Sequence, residues 1–311
     1  MQNTPEITHS SPLPKSLMIF GCGYVGSALA AYCRASGVRV GALTRNPEKA
    51  AHLRAMGLDE VIEGDLDDPS WHASLKGDYE AVVNCVSSAG GGIGGYRKSY
   101  VDGQRAILDW ATGKGIKSYV YTSSTSVYPQ DGGVTVDESA DTTEAPETGQ
   151  VILESEQLIA DAAAQFEHWY VLRLAGIYGP RRHYLLDQLR EGAGVIPGRG
   201  DYTLNLIHLD DIVAAICAAL ANSQAPLGIY NIADDSPETK ASLMSWLAEE
   251  LRLSPPRFDP DHVSPRLQRR GGRMPDRKIL NTKAKRELGW TPKYPSFREG
   301  YQAILTDKNS D

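Results

Sequence analysis

Several features are missing from this sequence, and each absence narrows the function. No apolar run approaches the length of a membrane span, so no transmembrane helix is expected. The four cysteines are scattered without Cys-x-x-Cys spacing, which argues against disulfides and against a bound metal. No basic stripe offsets the net charge of −7, so nucleic acid is not an expected partner. With no apolar leader near residue 1, these absences predict a cytoplasmic location.

The composition that remains is that of an ordinary globular protein. Hydrophobic residues make up 41% and charged residues 23% of 311 residues, enough for one large domain or for a domain with a smaller lobe. Residues 1–15 are polar and proline-containing, and we predict that they form a disordered tail.

A glycine-rich turn is the most informative feature present. A short apolar strand at residue 16 leads into Gly-x-Gly-x-x-Gly, and a helical run and a second strand follow. Such glycines allow a tight turn, close approach of the backbone to a pyrophosphate, and close packing of helix on strand. The helix N-terminus then offers unpaired N–H groups to phosphate. This turn predicts dinucleotide binding by Gly21, Gly23, Tyr24, Val25 and Gly26.

Strand-like and helical segments alternate through the first two thirds of the chain, which is typical of a parallel α/β sheet. The segment 81–86 is almost wholly apolar and predicts a central buried strand. Helices are predicted over residues 96–112 and 152–165, and a loop over 127–148. We therefore expect an α/β fold of the Rossmann type, a doubly wound parallel sheet with a smaller C-terminal lobe.

Beyond the glycine turn, four further segments carry a family resemblance. They are Gly64-Asp65-Leu66, Thr122-Ser123-Ser124-Thr125-Ser126-Val127-Tyr128, Arg173-Leu174-Ala175-Gly176-Ile177-Tyr178-Gly179-Pro180 and Ile207-His208-Leu209-Asp210-Asp211. In this order and spacing, the chain resembles the extended short-chain dehydrogenases/reductases, the NAD(P)-dependent epimerase/dehydratase group. The resemblance implies a nucleotide-binding domain over residues 16–180 and a mostly substrate-binding lobe over 181–311, with about 204–232 returning to the core.

The resemblance also implies roles for individual residues. Asp65 and Leu66 would flank the adenine, the segment 86–88 would line the ribose and nicotinamide, and Tyr178 would border the nicotinamide. The cofactor residues expected on this ground are Asp65, Leu66, Val86, Ser87, Ser88 and Tyr178. His208 and Asp210 are interpreted as a hydrogen-bonded pair at a helix start rather than as catalytic groups.

The end of the second predicted strand bears on the choice between NAD(H) and NADP(H). A carboxylate here would hold the ribose 2′-hydroxyl of NAD and repel a 2′-phosphate. This chain has Thr44 and Arg45 instead, and a guanidinium binds phosphate through charge-assisted hydrogen bonds. The sequence therefore favours NADP(H) over NAD(H), although Arg45 could also be a plain surface charge.

The family's catalytic motif is missing. Family chemistry uses a serine after the fifth strand, which Ser124 matches, and a Tyr-x-x-x-Lys on the next helix. None of the 15 tyrosines is followed by lysine four positions later, and the two places fall near Thr148 and Ile152. Tyr128 and Tyr184 are candidate replacements. Otherwise the substrate is one that protonates readily, or the protein binds NADP without turnover.

The substrate side is basic. Arg181 follows the Gly-Pro pair, and Arg273 belongs to an arginine-rich stretch, so both are candidates for binding an anionic or nucleotide-sugar-like substrate. The alternative is that these arginines form a charged surface exposed to solvent and bind no substrate. We predict an NADP-dependent oxidoreductase or an epimerase/dehydratase-like enzyme acting on a carbonyl or alcohol of a small molecule. The alternative is a catalytically silent NADP(H) sensor or scaffold. Family dimers often pair the helices that correspond to 96–112 and 152–165, so a homodimer is one possibility, but the apolar residues of the second helix could equally face the sheet.

Overall fold

A computed structural model describes residues 12–88, 90–262 and 274–306 of the chain. Its strands are β1 Ser16–Phe20, β2 Arg39–Thr44, β3 Glu60–Glu63, β4 Ala81–Asn84, β5 Ser118–Ser124, β6 Val134–Val136, β7 His168–Leu174, β8 Gly176–Tyr178, β9 Val195–Pro197, β10 Thr203–Leu204, β11 Leu206–His208, β12 Gly228–Ile232, β13 Glu238–Thr239, β14 Arg257–Asp259 and β15 Arg277–Ile279. Its α-helices are α1 Tyr24–Ala35, α2 Pro47–Ala55, α3 Ser70–Ser74, α4 Gly92–Arg97, α5 Gly103–Ala111, α6 Glu147–Asp161, α7 Tyr184–Arg190, α8 Leu209–Ala221, α9 Lys240–Glu250 and α10 Phe297–Thr306.

Seven of the described strands form one parallel sheet in the order β12-β7-β5-β4-β1-β2-β3. Successive side chains of a strand point to opposite sides, and helices pack on both faces of the sheet. Ile19 of β1 packs in one apolar core with Leu29 of α1, whereas Met18 packs in a second core with Ile107 of α5. The expected doubly wound α/β fold is therefore confirmed.

The strand order reverses between β1 and β4, since β2 and β3 extend to one side and β5, β7 and β12 to the other. The carboxyl ends of parallel strands share one edge, and ligands of such sheets bind in the crevice at this reversal. The fold therefore predicts a ligand site at the carboxyl ends of β1, β2, β4 and β5.

A smaller apolar core lies in the C-terminal part of the chain, where Leu186 of α7, Leu247 of α9 and Ile304 of α10 pack together. The chain between them returns to the sheet through β12, which pairs with β7. On β12, the Asn231 N–H donates to Glu138 Oε1 (2.7 Å), and the Ile229 carbonyl accepts from Lys283 Nζ (2.8 Å). Hydrogen bonds with side chains thus satisfy backbone groups along the outer edge of the sheet.

Three local expectations need correction. The helix predicted over 96–112 is interrupted by a π-helical turn at Lys98–Asp102, where the Tyr100 carbonyl accepts from Ser155 Oγ (2.7 Å). The predicted loop 127–148 contains β6, because a distant segment, β15, pairs with it. Helix α6 begins at Glu147 rather than at residue 152, directly after Pro146.

Residues 1–11 of the predicted tail lie outside the described residues, and the Lys15 N–H donates to Glu80 Oε2 (2.8 Å) just before β1. The division into a nucleotide-binding domain and a substrate lobe stays a prediction. Among the helices of the described ranges, none has the length and apolar character that a bilayer crossing requires.

A clasp joins the C-terminal segment to the chain that follows β5. Strand β15 pairs in parallel with β6, and the Asp276 N–H donates to Asp131 Oδ1 (2.7 Å). The buried Arg277 guanidinium donates to the carbonyls of Thr125 (3.0 Å) and Gln130 (3.2 Å), and burial lowers its pKa to about 10. Arg277 therefore closes the turn after β5 against the C-terminal lobe.

We expect Arg277→Ala to lower the free energy of unfolding by about 2 kcal/mol, because two buried carbonyls lose their donor. The adjacent Lys278 is exposed, and Lys278→Ala should change it by less than about 0.5 kcal/mol. Urea denaturation of both variants measures the difference. Equal stabilities would show that the clasp contributes little.

Candidate active site

The crevice at the strand reversal gathers most of the cofactor residues expected from the sequence. The glycine turn follows β1, Arg45 follows β2 and Asp65 follows β3. Val86 follows β4 closely, and Ser124 ends β5. Because these strands are neighbours and parallel, the five positions lie along one edge of the sheet.

The glycine turn is packed against the end of β4. Gly21 has φ +83°, and a Cβ there would lie 2.5 Å from the Val86 nitrogen, so no other residue fits without a shift. A Cβ at Gly26 would lie 2.5 Å from the Gly21 oxygen, which explains the close packing of α1. At Gly23 the same construction meets no atom within 4 Å. Gly23 therefore faces open space at the N-terminus of α1, the place where dinucleotide-binding folds hold the pyrophosphate.

The adenosine end of the crevice is polar. The Arg45 Nη1 lies 4.0 Å from Asp65 Oδ2, and both side chains are largely exposed. Thr44 is buried, and its hydroxyl accepts from the Asn46 N–H (3.3 Å). Leu66 packs beside Gly103 of α5, where a Cβ would be 2.9 Å from Leu66 Cδ1. One cation and one carboxylate thus flank the expected adenosine position.

The segment after β4 is held in place by buried polar groups. The Val86 N–H donates to Asn84 Oδ1 (2.9 Å), and Asn84 Nδ2 donates to Gln104 Oε1 (2.7 Å). Ser88 Oγ accepts from the Gly90 N–H (3.2 Å). The placement of Val86, Ser87 and Ser88 at this end of the sheet agrees with a lining role for the segment.

Ser124 caps the turn that follows β5. Its hydroxyl oxygen accepts from the Ser126 N–H (3.1 Å), and the side chain remains partly exposed. Because the oxygen accepts, the hydroxyl proton is available to donate to a ligand oxygen. A structural role and a substrate contact are therefore compatible at Ser124.

The two tyrosines suggested as replacement acids receive no support from their positions. Tyr128 is only 1% exposed and donates to Asn231 Oδ1 (2.8 Å), and burial raises its pKa. Tyr184 begins α7 in the C-terminal part of the chain and is 53% exposed. Tyr128 has a structural role in this conformation because its hydroxyl is committed to Asn231 inside the core.

At the two places on α6 where the family's tyrosine and lysine were expected, this chain has Thr148 and Ile152. Thr148 is partly exposed near the start of the helix, and Ile152 is 2% exposed inside the apolar core. A threonine hydroxyl is far too weak an acid to replace a tyrosine. Ile152 therefore contributes apolar packing at its place on α6, where it supplies neither an acid nor a cation.

One turn further along α6, Glu156 forms a buried ion pair. Arg173 on β7 donates to Glu156 through Nε (3.0 Å) and Nη2 (2.6 Å), and Ser123 donates to the same carboxylate. Both charged side chains are about 95% buried. Spacing alone did not reveal this group, although an arginine inside an apolar strand was a signal for a buried partner.

The ring of Tyr178, which was expected to border the nicotinamide, is buried in the C-terminal core. The side chain is 3% exposed and stacks on Tyr301 of α10, with ring centroids 4.9 Å apart. A Cβ at Gly300 would collide with the Tyr178 hydroxyl, so the ring fills a cleft in the C-terminal core. A role of Tyr178 at the nicotinamide stays a prediction, and the buried ring offers it little exposed surface.

His208 behaves as expected for a helix cap. Its Nδ1 accepts from the Asp210 N–H (3.2 Å) at the start of α8. The ring lies between Tyr178 and Tyr294, and burial lowers its pKa to about 4. His208 is therefore neutral at physiological pH and holds the helix start.

Of the two arginines predicted to bind substrate, the structure describes only Arg181. Arg181 is exposed in the turn after β8 and has φ 59°. Arg273 lies outside the described residues.

A family model for the NAD-dependent epimerases/dehydratases matches residues 17–233. The chain belongs to this family. The matched region contains the glycine turn, Asp65, Ser124 and the start of α8, the segments that carried the resemblance. Members of the family are NAD(P)-dependent oxidoreductases and epimerases.

Two curated relatives extend the family match. Protein YeeZ of Escherichia coli is 30% identical over 249 residues, covering 78% of this chain and 86% of YeeZ. A 3-diazoavenalumate denitrifying reductase of a Streptomyces species is 27% identical over 313 residues, covering 89% and 96%. Among solved structures, MoeE5 in complex with UDP-glucuronic acid and NAD has a TM-score of 0.78 at 23% identity, covering 92% of this chain and 96% of MoeE5. The last likeness concerns the fold alone.

The glycine turn offers a matched pair of variants. Gly23→Ala should leave the unfolding midpoint nearly unchanged but weaken binding of NADP⁺ on the order of ten-fold, because its methyl group enters the open space. Gly21→Ala should instead lower the free energy of unfolding by more than about 1 kcal/mol, because of its left-handed backbone. Calorimetric titration and thermal denaturation separate the two effects. Unimpaired NADP⁺ binding by Gly23→Ala would place the cofactor elsewhere.

Proposed function

We propose that this protein is an NADP-preferring oxidoreductase or epimerase/dehydratase-like enzyme that acts on a carbonyl or alcohol of a small, anionic or nucleotide-sugar-like substrate. The observation that carries the NADP preference is Arg45 at the end of β2, in the place where NAD-binding folds use a carboxylate. The cytoplasmic location and a homodimer belong to the same proposal.

Arg45 is free enough to bind a 2′-phosphate. Its nearest carboxylate, Asp65, is 4.0 Å away, and an exposed pair at this distance contributes little. A phosphate dianion offers the guanidinium two strong acceptors, so it competes well with Asp65. Asp65 can then accept from the exocyclic amine of adenine.

The cofactor supplies hydride exchange at a carbon of the substrate, and the chain supplies the surroundings. Ser124 donates a hydrogen bond from its hydroxyl to the substrate oxygen and so polarises the carbonyl. The clasp at Arg277 keeps the turn after Ser124 in place through the Thr125 carbonyl. The Glu156–Arg173 pair holds α6 against β5 and β7 beside it.

An anionic substrate is supported by arginines on the predicted substrate side of the chain. Arg181 is exposed in the turn after β8, and Arg273 belongs to an arginine-rich stretch of the sequence that lies outside the described residues. MoeE5, which shares the fold, was solved with UDP-glucuronic acid, an anionic nucleotide sugar. The Streptomyces relative is named as a reductase. These likenesses support a reducible anionic substrate for this chain.

A second function, NADP(H) binding without turnover, is favoured by one observation. Ile152 is buried in the place of the family's lysine, and the described part of α6 carries no tyrosine. A substrate that protonates readily would allow turnover without that tyrosine. A sensor or scaffold would not need it at all.

Arg45→Ala should weaken NADP⁺ binding at least ten-fold relative to its effect on NAD⁺, since it removes a charge-assisted contact worth about 1.5–3 kcal/mol. Calorimetric titration of both dinucleotides measures the ratio. Arg199→Ala is the matched control, because Arg199 is an exposed arginine paired with Asp201 outside the expected site, and its loss should not weaken NADP⁺ binding. Equal losses for both dinucleotides in Arg45→Ala would contradict the NADP preference.

Turnover distinguishes the two functions. Purified protein is denatured and the released small molecules are identified by mass spectrometry, after which NADPH oxidation is followed with a panel of carbonyl compounds and sugar nucleotides. We expect NADPH oxidation with at least one anionic substrate, reduced in Ser124→Ala but with NADPH affinity unchanged. Tight NADPH binding with no turnover across the panel would favour the sensor.

A further inference from the structure

The turn after β8 is unusually constrained. The Gly179 N–H donates to the Arg182 carbonyl (3.2 Å), and the Arg182 N–H donates back to the Gly179 carbonyl (3.0 Å). Arg181, at the tip, has φ 59°, a conformation that costs a residue with a Cβ about 1 kcal/mol. The chain therefore doubles back within two residues, and Arg182 lies opposite Gly179.

This turn is attached to the start of α1. The Tyr24 hydroxyl donates to the Pro180 carbonyl (2.8 Å), and the Arg182 guanidinium carbon lies 5.3 Å from the centre of the Tyr24 ring. Tyr24 is the first residue of the 12-residue helix α1 and follows Gly23 of the glycine turn. Arg182 is thus held over an aromatic ring beside the expected pyrophosphate position.

The surroundings of Arg182 leave its charge available. In the residues that the structure describes, no carboxylate forms an ion pair with Arg182. Gly23, on the other side of Tyr24, faces open space. The first N–H groups of α1 have no partner within the helix. A cation and the positive end of a helix dipole therefore face one region, which suits a doubly charged anion.

We propose that Arg182 binds the pyrophosphate of the dinucleotide cofactor, at the phosphate on the nicotinamide side. The side follows from the strand order, because the chain reaches Arg182 from β7 and β8, whereas the adenosine end lies at β2 and β3. This inference rests on the proposed function, since it requires a bound dinucleotide. The guanidinium donates two parallel hydrogen bonds to the phosphate oxygens.

This arrangement explains why the turn after β8 is so constrained. The Tyr24 ring holds the guanidinium in place before the ligand arrives, which reduces the side-chain entropy lost on binding. The left-handed backbone at Arg181 is the cost of a turn tight enough to place Arg182 over the Tyr24 ring. Because the turn leads into the C-terminal lobe, binding of the cofactor also fixes the first segment of that lobe.

The test compares two ligands by calorimetric titration of the full chain. NADP⁺ contains both phosphates of the pyrophosphate, whereas adenosine 2′,5′-bisphosphate lacks the one on the nicotinamide side. Arg182→Gln should weaken NADP⁺ binding on the order of ten-fold and change the bisphosphate by less than two-fold. Arg182→Lys should show a smaller loss for NADP⁺, because it keeps the charge but not the planar fork.

Arg199→Gln is the charge control, because Arg199 pairs with Asp201 on an exposed loop and should leave both ligands unaffected. Equal losses for the two ligands in Arg182→Gln, or no loss for NADP⁺, would overturn the assignment of Arg182. A wild-type protein that binds neither ligand would instead overturn the proposed function, and the inference with it. The two failures are distinguishable because the second is visible without any variant.

Discussion

The close approach of Gly21 to the end of β4 is the constraint on which the candidate site depends. Backbone packs on backbone there, with no space for a side chain, so the turn and the segment 86–88 have one fixed separation. Helix α1 is in turn held against the turn through Gly26. The open space beside Gly23 exists because its two neighbours in the motif are packed so tightly. The expected phosphate position at Gly23 is thus bordered by close backbone packing at Gly21 and Gly26.

Much of this arrangement could be predicted from local sequence. The alternation of strand and helix, the glycine turn and the strand-end positions of Arg45 and Asp65 depend on periodicity and spacing, which the sequence displays directly. The family assignment was likewise available from motif order. What sequence could not supply was the direction of individual rings. Tyr178 lies beside Gly179 in a motif near the cofactor, yet its ring packs on Tyr301, more than a hundred positions away.

The same limitation applies to the buried charges. Arg277 donates to the carbonyl of Thr125, and Glu156 binds Arg173, and neither pairing has a local signal that names the partner. Long-range contacts of this kind arise only when the sheet and the lobe are assembled. They surround Ser124 on two sides, so the geometry of the candidate catalytic serine is determined by segments that no motif connects. The absence of a Tyr-x-x-x-Lys was plain from sequence, whereas the apolar burial of Ile152 required the fold.

The outer edge of the sheet has a consequence for how copies of this chain can meet. An uncovered edge strand offers a row of N–H and C=O groups to any other strand, which invites sheet-to-sheet aggregation. On β12 the outward groups of Asn231 and Ile229 are already bonded to Glu138 and Lys283. These two long side chains act as blocking groups against strand addition at that end. The bonded groups of β12 are therefore closed to strand addition, and the sheet is protected at this edge against growth into a continuous β-structure.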